Sequence, residues 1–289
     1  MSENIQSASI NWYPGHMAKA RREMQEKIRL VDMVIELRDA RMPNGSINPV
    51  LNEIIGSKPR LIVLAKKDRA DSDITARWVS RFARDGHKTV ALDLIHDPVN
   101  KIISNACQEV MKEKIAKQKA RGMKHVEIKA MVVGIPNVGK STLINSVSRK
   151  KMAKTADHPG VTKSLQWIKV SPDVALLDTP GVLWPKFEDQ EVAMKLALCG
   201  SISDNVLPIS ELVIYSIRYI LANKPQMLVN RYGIELSDDP HTVLERIAEA
   251  RHFLDAEGTL DMERTEAVYL NELRDGLIGT ISWEKPDED

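Results

Sequence analysis

The sequence predicts an α/β fold, a mostly parallel sheet flanked by helices, followed by a small α-helical C-terminal domain. Up to about residue 185, short aliphatic and β-branched runs alternate with segments of helical spacing. A glycine-rich segment, residues 134–141, lies between one such run and a helix. Beyond it the strand-like runs stop, and segments of helical spacing are separated by breakers at Pro208, Pro225, Pro240 and Gly258. We therefore expect two domains, residues 1–187 and 188–289.

The predicted strands are rich in the β-branched and aliphatic residues that suit a buried pleated surface. Val31–Leu37 alternates apolar and polar side chains, whereas Leu61–Leu64 is a continuous apolar run typical of a buried strand. A turn at residues 171–173 separates the last two strands and predicts that they pair. The predicted strands are residues 31–37, 60–64, 89–92, 127–133, 165–170 and 174–177.

The predicted helices repeat apolar residues at intervals of three or four, as Trp78 and Phe82 do. One of them, residues 102–119, is long and basic. Those beyond residue 188 are acidic. The predicted helices are residues 18–30, 48–55, 74–85, 102–119, 141–147, 190–200, 209–223, 241–257 and 259–277.

The composition excludes several classes of protein. The hydrophobic fraction of 43% is sufficient for a core, but an aromatic fraction of 4% means that Leu, Ile, Val, Ala and Met must form it. Two cysteines, Cys107 and Cys199, give neither a disulfide framework nor a metal-ligand spacing. Neither a signal peptide nor an apolar run of about 18 residues is present, so we expect a cytoplasmic protein without membrane contact.

The net charge of +1 conceals an asymmetry along the chain. Residues 101–154 hold roughly thirteen Lys and Arg against three acidic residues, a local charge of about +10. Residues 186–289 carry about −11 by the same count. A basic middle beside an acidic C-terminal part suggests two surfaces with different partners. Solvated helix faces are the alternative interpretation.

The segment from Gly134 to Ser141 reads GxxxxGKS between a strand and a helix, the pattern of a phosphate-binding loop. Glycines such as Gly139 let backbone N–H groups wrap the phosphates. Lys140 supplies a cation to the β and γ oxygens, and the Ser141 hydroxyl can ligate Mg²⁺. A chance glycine-rich turn would not be expected in this strand and helix context. The sequence therefore predicts a nucleoside triphosphate site.

A second motif, Asp178 to Gly181, follows the predicted strand 174–177. A carboxylate at a strand end can hold Mg²⁺ through water, and the glycine N–H can contact the γ-phosphate. Thr162 lies between this motif and the phosphate loop, where a threonine can ligate Mg²⁺ when the γ-phosphate is present. DxxG alone is a weak signal, but this position after a phosphate loop makes it specific.

Guanine recognition is predicted at Ala65 to Asp68, directly after a buried strand. Asp68 can accept hydrogen bonds from the ring N–H and the amino group, and the stem of Lys66 can cover the ring. The usual motif at this place is NKxD, and Ala65 replaces its asparagine. We expect that loss to weaken nucleotide binding by about 1–2 kcal/mol. An ordinary charged loop is the alternative interpretation.

The order of these motifs is unusual, because base recognition comes about 70 residues before the phosphate loop. Ras-like chains run the other way, so the sequence predicts a circularly permuted P-loop GTPase domain. The permutation also brings Thr162 and Gly181 close in the chain to the helical domain. Movement of these residues on hydrolysis would then be transmitted to that domain.

Several segments together resemble the YlqF/YawG-type permuted GTPases, and the resemblance implies a bacterial factor for late assembly of the large ribosomal subunit. The resemblance runs over nearly the whole chain and is densest before Asp189. It rests on residues 12–20 (WYPGHMAKA), 39–43 (DARMP), the phosphate loop with its Pro-Asn pair, and 178–187 (DTPGVLWPKF).

This resemblance implies a set of nucleotide contacts. The implied residues are Ala65, Lys66, Lys67, Asp68, Asp93, Leu94, Asn137, Val138, Gly139, Lys140, Ser141, Thr142 and Gly181. Asp93 and Leu94 depart from the small polar residues usual in the family. Val182 occupies the place of the Ras glutamine and cannot orient water, so the resemblance assigns that role to His16 of the PGHM motif. Asn137 is similar to the asparagine that helps potassium-activated GTPases hold K⁺.

The resemblance also implies partners. We expect a monomer that binds GTP or GDP with Mg²⁺ and K⁺ and docks on the large ribosomal subunit, through rRNA and ribosomal proteins, without binding DNA. The resemblance also implies ribosome contact for the helical C-terminal domain, residues 188–289, although its acidic charge does not suit a simple phosphate-binding surface. The basic residues expected to face RNA are Lys112, Lys114, Lys117, Lys119, Arg121, Lys124 and Lys129, extended by Lys19, Arg21 and Arg22. Three other functions stay open: a nucleotide-gated RNA-binding module with little or no hydrolysis, a GTPase serving tRNA modification or translation, and, least favoured, a metabolic P-loop kinase.

Overall fold

The sheet of this protein is observed in a computed structural model that describes residues 14–148, 167–179, 189–202 and 208–287, with side chains from Arg21 onward. Within these ranges the sheet has six strands in the order β3-β2-β1-β4-β6-β5, and β5 alone is antiparallel to its neighbour. This arrangement confirms the predicted α/β class. The strands are β1 (Met33–Asp39), β2 (Arg60–Ala65), β3 (Lys88–Leu92), β4 (Ile128–Gly134), β5 (Trp167–Ser171) and β6 (Val174–Leu177).

The topology places a crevice between β1 and β4. From β1 the chain proceeds to β2 and β3 on one side, whereas β4 leads to β6 and β5 on the other. Such a reversal of strand order leaves a cleft outside the carboxyl ends of the strands, which is where open α/β sheets bind ligands. The loop after β4 is the glycine-rich segment, so the predicted phosphate loop lies at this point.

Helices cover both faces of the sheet. Those that precede the phosphate loop or begin within it are α1 (Pro14–Lys27), α2 (Pro49–Ile55), α3 (Ser72–Arg84), α4 (Val99–Val110), α5 (Lys112–Ala120) and α6 (Lys140–Val147). Alternation along β1 decides which helix meets which face: Ile35 packs in the cluster that contains α4 and α6, whereas Val34 packs with α1 and α2. Helix α3 covers the same face as α2, further along the sheet.

The single helix predicted over residues 102–119 is wrong, because two helices, α4 and α5, meet at Met111. Helix α4 buries residues such as Ile103 and Cys107 against the sheet, whereas none of the residues of α5 is buried. Buried Met111 anchors the turn between them. The break therefore lies where the chain leaves the core, which helical spacing alone does not reveal.

The C-terminal part is helical, as predicted, and contains one helix more than expected. The described helices are α7 (Gln190–Leu198), α8 (Ile209–Asn223), α9 (Gln226–Tyr232), α10 (Pro240–Arg251) and α11 (Met262–Arg274). Helix α9 is absent from the predicted helices because Pro225 has the character of a breaker, although proline is also tolerated where a helix begins. In the described ranges, no helix combines the length and apolar character needed to cross a bilayer.

The C-terminal helices pack against the carboxyl edge of the sheet. One continuous cluster of buried side chains contains both sheet residues and residues of α7, α8, α10 and α11. The end of the chain also returns to this edge: the Ile281 N–H donates to the Arg69 carbonyl (3.0 Å) and the Trp283 N–H donates to the Arg41 carbonyl (2.8 Å). The domain boundary at 187/188 stays a prediction, since residues 180–188 lie outside the described residues.

Candidate functional site

Most of the predicted site residues that the structure describes lie at the carboxyl edge of the sheet. Because β1, β2, β3, β4 and β6 are parallel, the segments that follow them emerge at one edge. The base-recognition segment, Ala65 to Asp68, begins at the end of β2, and Asp93 follows β3. The phosphate loop begins at the end of β4, and Asp178 follows β6. Base recognition thus precedes the phosphate loop in the chain yet lies beside it in space, as the predicted permutation requires.

The phosphate loop has a backbone that requires its glycines. Gly139 has φ +112°, and a Cβ there would lie 2.9 Å from the Leu94 side chain. At Gly134 a Cβ would lie 2.7 Å from the carbonyl oxygen of Leu37 in β1. Asn137 also adopts a positive φ of 55°. Side chains at the two glycines would therefore collide with Leu94 or Leu37 and displace the loop, whose backbone must stay accessible to cradle phosphates.

Lys140 is held inside this loop. Its ammonium group donates to the carbonyl oxygens of Gly134 (3.0 Å) and Ile135 (2.7 Å), and 7% of the residue is exposed. Burial lowers the pKa of Lys140 to about 8, although the charge of Asp178 acts in the opposite direction. A nearby anion stabilises the charged form of a buried lysine. The loop therefore holds a cation whose burial cost phosphate charges would offset.

The carboxylate of Asp178 suits a divalent cation. The residue is 5% exposed, and its Oδ1 atom is buried without a hydrogen-bond partner in the described structure. Burial raises the pKa of Asp178 above its usual range, and Lys140 only partly offsets this effect. An unsatisfied buried carboxylate oxygen is costly, and a hard cation such as Mg²⁺ would satisfy it. With Ser141 in the first turn of α6, the donor set fits Mg²⁺.

The base-recognition segment combines an accessible carboxylate with a restrained lysine. Asp68 is 42% exposed and therefore available to a base, whereas Lys66 adopts a left-handed conformation with φ 59°. Lys67 pairs with Asp97 at 2.6 Å. Ala65 is fully buried beside the phosphate loop, and its Cβ would lie 3.7 Å from a Cβ at Gly139. It therefore offers this loop only van der Waals contact, where the usual asparagine would offer hydrogen bonds.

The segment after β3 has a supporting geometry. The carboxylate of Asp93 accepts hydrogen bonds from the N–H groups of Ile95 (2.8 Å) and His96 (3.2 Å). Leu94 is buried against Gly139, and its carbonyl accepts from the Ser146 hydroxyl. Both residues thus shape the wall beside the phosphate loop. Their contact with a nucleotide stays a prediction.

Three predicted site residues cannot be placed. Thr162 and Gly181 lie outside the described residues, and His16 lies in α1 with a side chain outside the described part. Val138 is buried beneath the loop, whereas Thr142 is partly exposed in the first turn of α6. Their roles, like those of the other site residues, stay predictions.

The structure adds contacts that the sequence analysis did not anticipate. The carboxylate of Asp39, at the end of β1, lies 3.2 Å from the Lys66 ammonium group. Asp39 also pairs with Arg41 at 2.8 Å. The Asn137 side-chain amide donates to the Gly200 carbonyl after α7 (2.9 Å). Only the DARMP segment, noted as part of a resemblance, indicated that Asp39 and Arg41 matter.

Known proteins resemble this chain over most of its length. The family described as "50S ribosome-binding GTPase" matches residues 129–240. Ribosome biogenesis GTPase A of Bacillus cereus is 45% identical over 280 residues, which cover 96% of this chain and 95% of the relative. Mitochondrial ribosome-associated GTPase 1 of Bos taurus is 36% identical over 247 residues, which cover 82% of this chain and 74% of the relative.

Solved structures of YlqF also match this chain. The GNP-bound structure of YlqF from T. maritima matches with a TM-score of 0.65 and 26% identity, covering 94% of this chain and all of that chain. A GDP-bound YlqF structure matches with a TM-score of 0.66. With 45% identity across nearly the whole of both chains, this chain belongs to the ribosome biogenesis GTPase A family of YlqF-type GTPases, and it is a GTP-hydrolysing enzyme.

Proposed function

We propose that this GTPase acts in late assembly of the large ribosomal subunit and that the ribosomal particle stimulates its GTP hydrolysis. The observation that carries the proposal is a nucleotide site bordered by the C-terminal helices, in a chain that carries a separate basic surface. The names of its relatives, which refer to ribosome biogenesis and ribosome association, support it. We also propose that the protein works as a cytoplasmic monomer.

In this proposal the nucleotide is held from two sides. Asp68 and Lys66 receive the guanine base, while the backbone of the phosphate loop and Lys140 receive the phosphates. Ser141 and Asp178, with Thr162, hold Mg²⁺. Mg²⁺ held by these residues would supply positive charge that stabilises the phosphates. The partnerless Oδ1 of Asp178 supports this assignment.

Hydrolysis needs a group that orients water, and Val182 cannot do so. We propose His16 for this role, because a neutral imidazole can accept a proton from a water molecule near neutral pH. We further propose that K⁺ binds beside Asn137 and supplies positive charge at the phosphates. The amide nitrogen of Asn137 is directed to Gly200, which leaves its carbonyl oxygen as the cation ligand.

A basic surface on α5 and the loop that follows it is proposed to contact rRNA. Its exposed members are Lys112, Lys117, Lys119, Arg121 and Lys124. It lies near Asp32 and Pro59, which precede β1 and β2, and hence at the amino edge of the sheet, away from the nucleotide site. Several exposed positive charges on one segment suit the phosphate backbone of folded RNA.

Binding to purified large subunits tests this surface. The double variant Lys117→Glu, Arg121→Glu should weaken cosedimentation and reduce the dependence of binding on salt, because each lost phosphate contact lowers that slope by about one. The double variant Arg77→Glu, Arg84→Glu is the matched control, since it reverses the same number of charges at exposed residues of α3, outside the surface proposed to contact rRNA. Equal losses in the two proteins would place the RNA contact elsewhere.

His16 is tested by turnover. His16→Ala should bind GTP with wild-type affinity but lose most of the subunit-stimulated hydrolysis, typically 10²- to 10⁴-fold for a lost general base. His16→Gln keeps a polar group and is the companion variant. Undiminished stimulation in His16→Ala would remove His16 from the mechanism. Replacing K⁺ by Na⁺ should lower the turnover of wild-type protein and have little effect on Asn137→Ala.

A further inference from the structure

We propose that Asp39 and Arg41 are positioning residues that orient Lys66 for the guanine base and couple the nucleotide site to the ends of helices α7 and α11. The proposal rests on the assignment of Lys66 to guanine recognition. It concerns the DARMP segment, to which the proposed function gives no role.

Asp39 reaches the base-recognition segment through the sheet. It is the register partner of Ala65, and the Ala40 N–H donates to the Ala65 carbonyl at 2.8 Å. The Asp39 carboxylate is completely buried, and its Oδ2 atom lies 3.2 Å from the Lys66 ammonium group. A charge-assisted contact of this kind restricts the side chain of Lys66.

The contact with Asp39 reaches the base-recognition segment by a route that does not involve the side chain at position 65. Ala65 cannot make the side-chain hydrogen bonds that an asparagine would use to hold the base-recognition segment. Asp39 holds the same segment from the neighbouring strand, through Lys66 rather than through position 65. The stem of Lys66, restrained at its end and at its left-handed backbone, is thus preorganised to cover the guanine ring.

Arg41 links this arrangement to the C-terminal helices. Its Nε and Nη2 atoms donate to Asp39 at 2.9 and 2.8 Å. Nη2 also donates to the Cys199 carbonyl (3.0 Å) and Nη1 to the Arg274 carbonyl (3.3 Å). These carbonyls terminate α7 and α11, where the helix dipole favours a cation. The buried Arg41 guanidinium therefore contacts Asp39, the partner of Lys66, and the C-terminal ends of α7 and α11.

A second contact strengthens the coupling. Arg69, next to Asp68, donates through Nη1 to the same Arg274 carbonyl at 2.8 Å. The Arg274 carbonyl, at the end of α11, thus accepts hydrogen bonds from Arg41, which holds Asp39, and from Arg69, which follows Asp68. A shift of α11 relative to the sheet must break or carry along these contacts, and such linkage acts in both directions.

The first test measures the GDP affinity of the isolated protein with a fluorescent GDP analogue. Asp39→Asn should raise the Kd about tenfold, since it removes a charge-assisted contact. Glu36→Gln is the matched control: Glu36 is a buried carboxylate on the same strand that pairs with Arg38 and Arg60, away from the nucleotide site. Circular dichroism establishes that each variant is folded. Equal changes in Kd for both variants would overturn the proposal.

Lys66→Ala separates this proposal from its premise. If Lys66→Ala weakens GDP binding while Asp39→Asn does not, the positioning role is wrong although guanine recognition stands. If Lys66→Ala has no effect, the premise and the proposal both fail. Because ribosomes are absent from the assay, neither outcome depends on the proposed ribosomal function.

The second test measures coupling by hydrogen exchange. In wild-type protein, GDP should slow amide exchange in residues 197–202 and 272–277, at the ends of α7 and α11. Arg41→Lys keeps the charge but cannot reproduce the planar fork that reaches Asp39 and both carbonyls. It should bind GDP more weakly than wild-type protein and, with GDP at saturating concentration, lose most of this protection. Unchanged protection in Arg41→Lys, or none in wild-type protein, would refute the coupling.

Discussion

The low pKa of Lys140 leads to a quantitative prediction for GDP binding. Burial lowers this pKa to about 8, and the phosphates of bound GDP should raise it well above that value. At pH 8 about half of the Lys140 side chains are neutral before binding, so binding should take up about half a proton. The phosphate itself contributes little there, because its second pKa is about 6. Affinity should therefore fall about fourfold between pH 7.0 and 8.5.

Titration calorimetry at pH 8.0, in two buffers of different ionisation enthalpy, measures this proton uptake directly. Lys140→Arg is the control, since arginine stays protonated at any pH of the assay and should bind without uptake. The sign is fixed: a group whose pKa rises on binding takes up protons and favours binding at lower pH. Wild-type binding without proton uptake, or equal uptake in Lys140→Arg, would show that Lys140 is not the titrating group.

Three further predictions concern the packing and charge of the site. Trp283→Ala should lower the free energy of unfolding by about 3–5 kcal/mol. Trp283→Phe keeps an aromatic ring and loses no hydrogen bond, since the indole Nε1 has no partner in the described structure, so it should cost less. Thermal unfolding distinguishes the two variants, and equal losses would contradict the packing of Trp283. Gly134→Ala should destabilise the protein by about 1–3 kcal/mol and abolish nucleotide binding, because its Cβ would lie 2.7 Å from a backbone carbonyl oxygen. Gly258→Ala is the control for backbone strain in a denaturant titration, since Gly258 has a positive φ but no atom near the position of its Cβ. This control should keep full nucleotide affinity. Asp178→Asn should raise the free energy of unfolding, since burial raises the pKa of Asp178 and disfavours its charged form at pH 7. The same variant should lose the gain in GTP-analogue affinity that Mg²⁺ provides. A gain that persists in Asp178→Asn would exclude Asp178 as a ligand.

Most of the strands could be predicted from the sequence, because strand type follows from local patterns. The apolar run of β2 and the alternation within β1 fix strand type, and the glycine-rich loop fixes the direction in which the chain leaves β4. What local patterns could not give was the break at Met111, which depends on where the helix leaves the core. Helix α9 was missed for a similar reason, since a proline can begin a helix as well as end one.

The site was predictable only as a set of motifs. Lys140 and Asp178 belong to sequence motifs that are typical of phosphate and Mg²⁺ binding. The structure places the two side chains close enough to affect each other's pKa. The contacts of Arg41 with Arg274 join residues more than two hundred positions apart. No spacing rule predicts such a pair, because it depends on how the C-terminal helices pack against the sheet.

The central claim, that the large ribosomal subunit triggers this GTPase, is tested most directly by GTP turnover in potassium buffer. Hydrolysis is measured for the protein alone, with purified large subunits, and with small subunits as the matched particle. The account predicts slow turnover alone and with small subunits, and strong stimulation by large subunits. Turnover that is fast without ribosomes, or that both subunits stimulate equally, would contradict it.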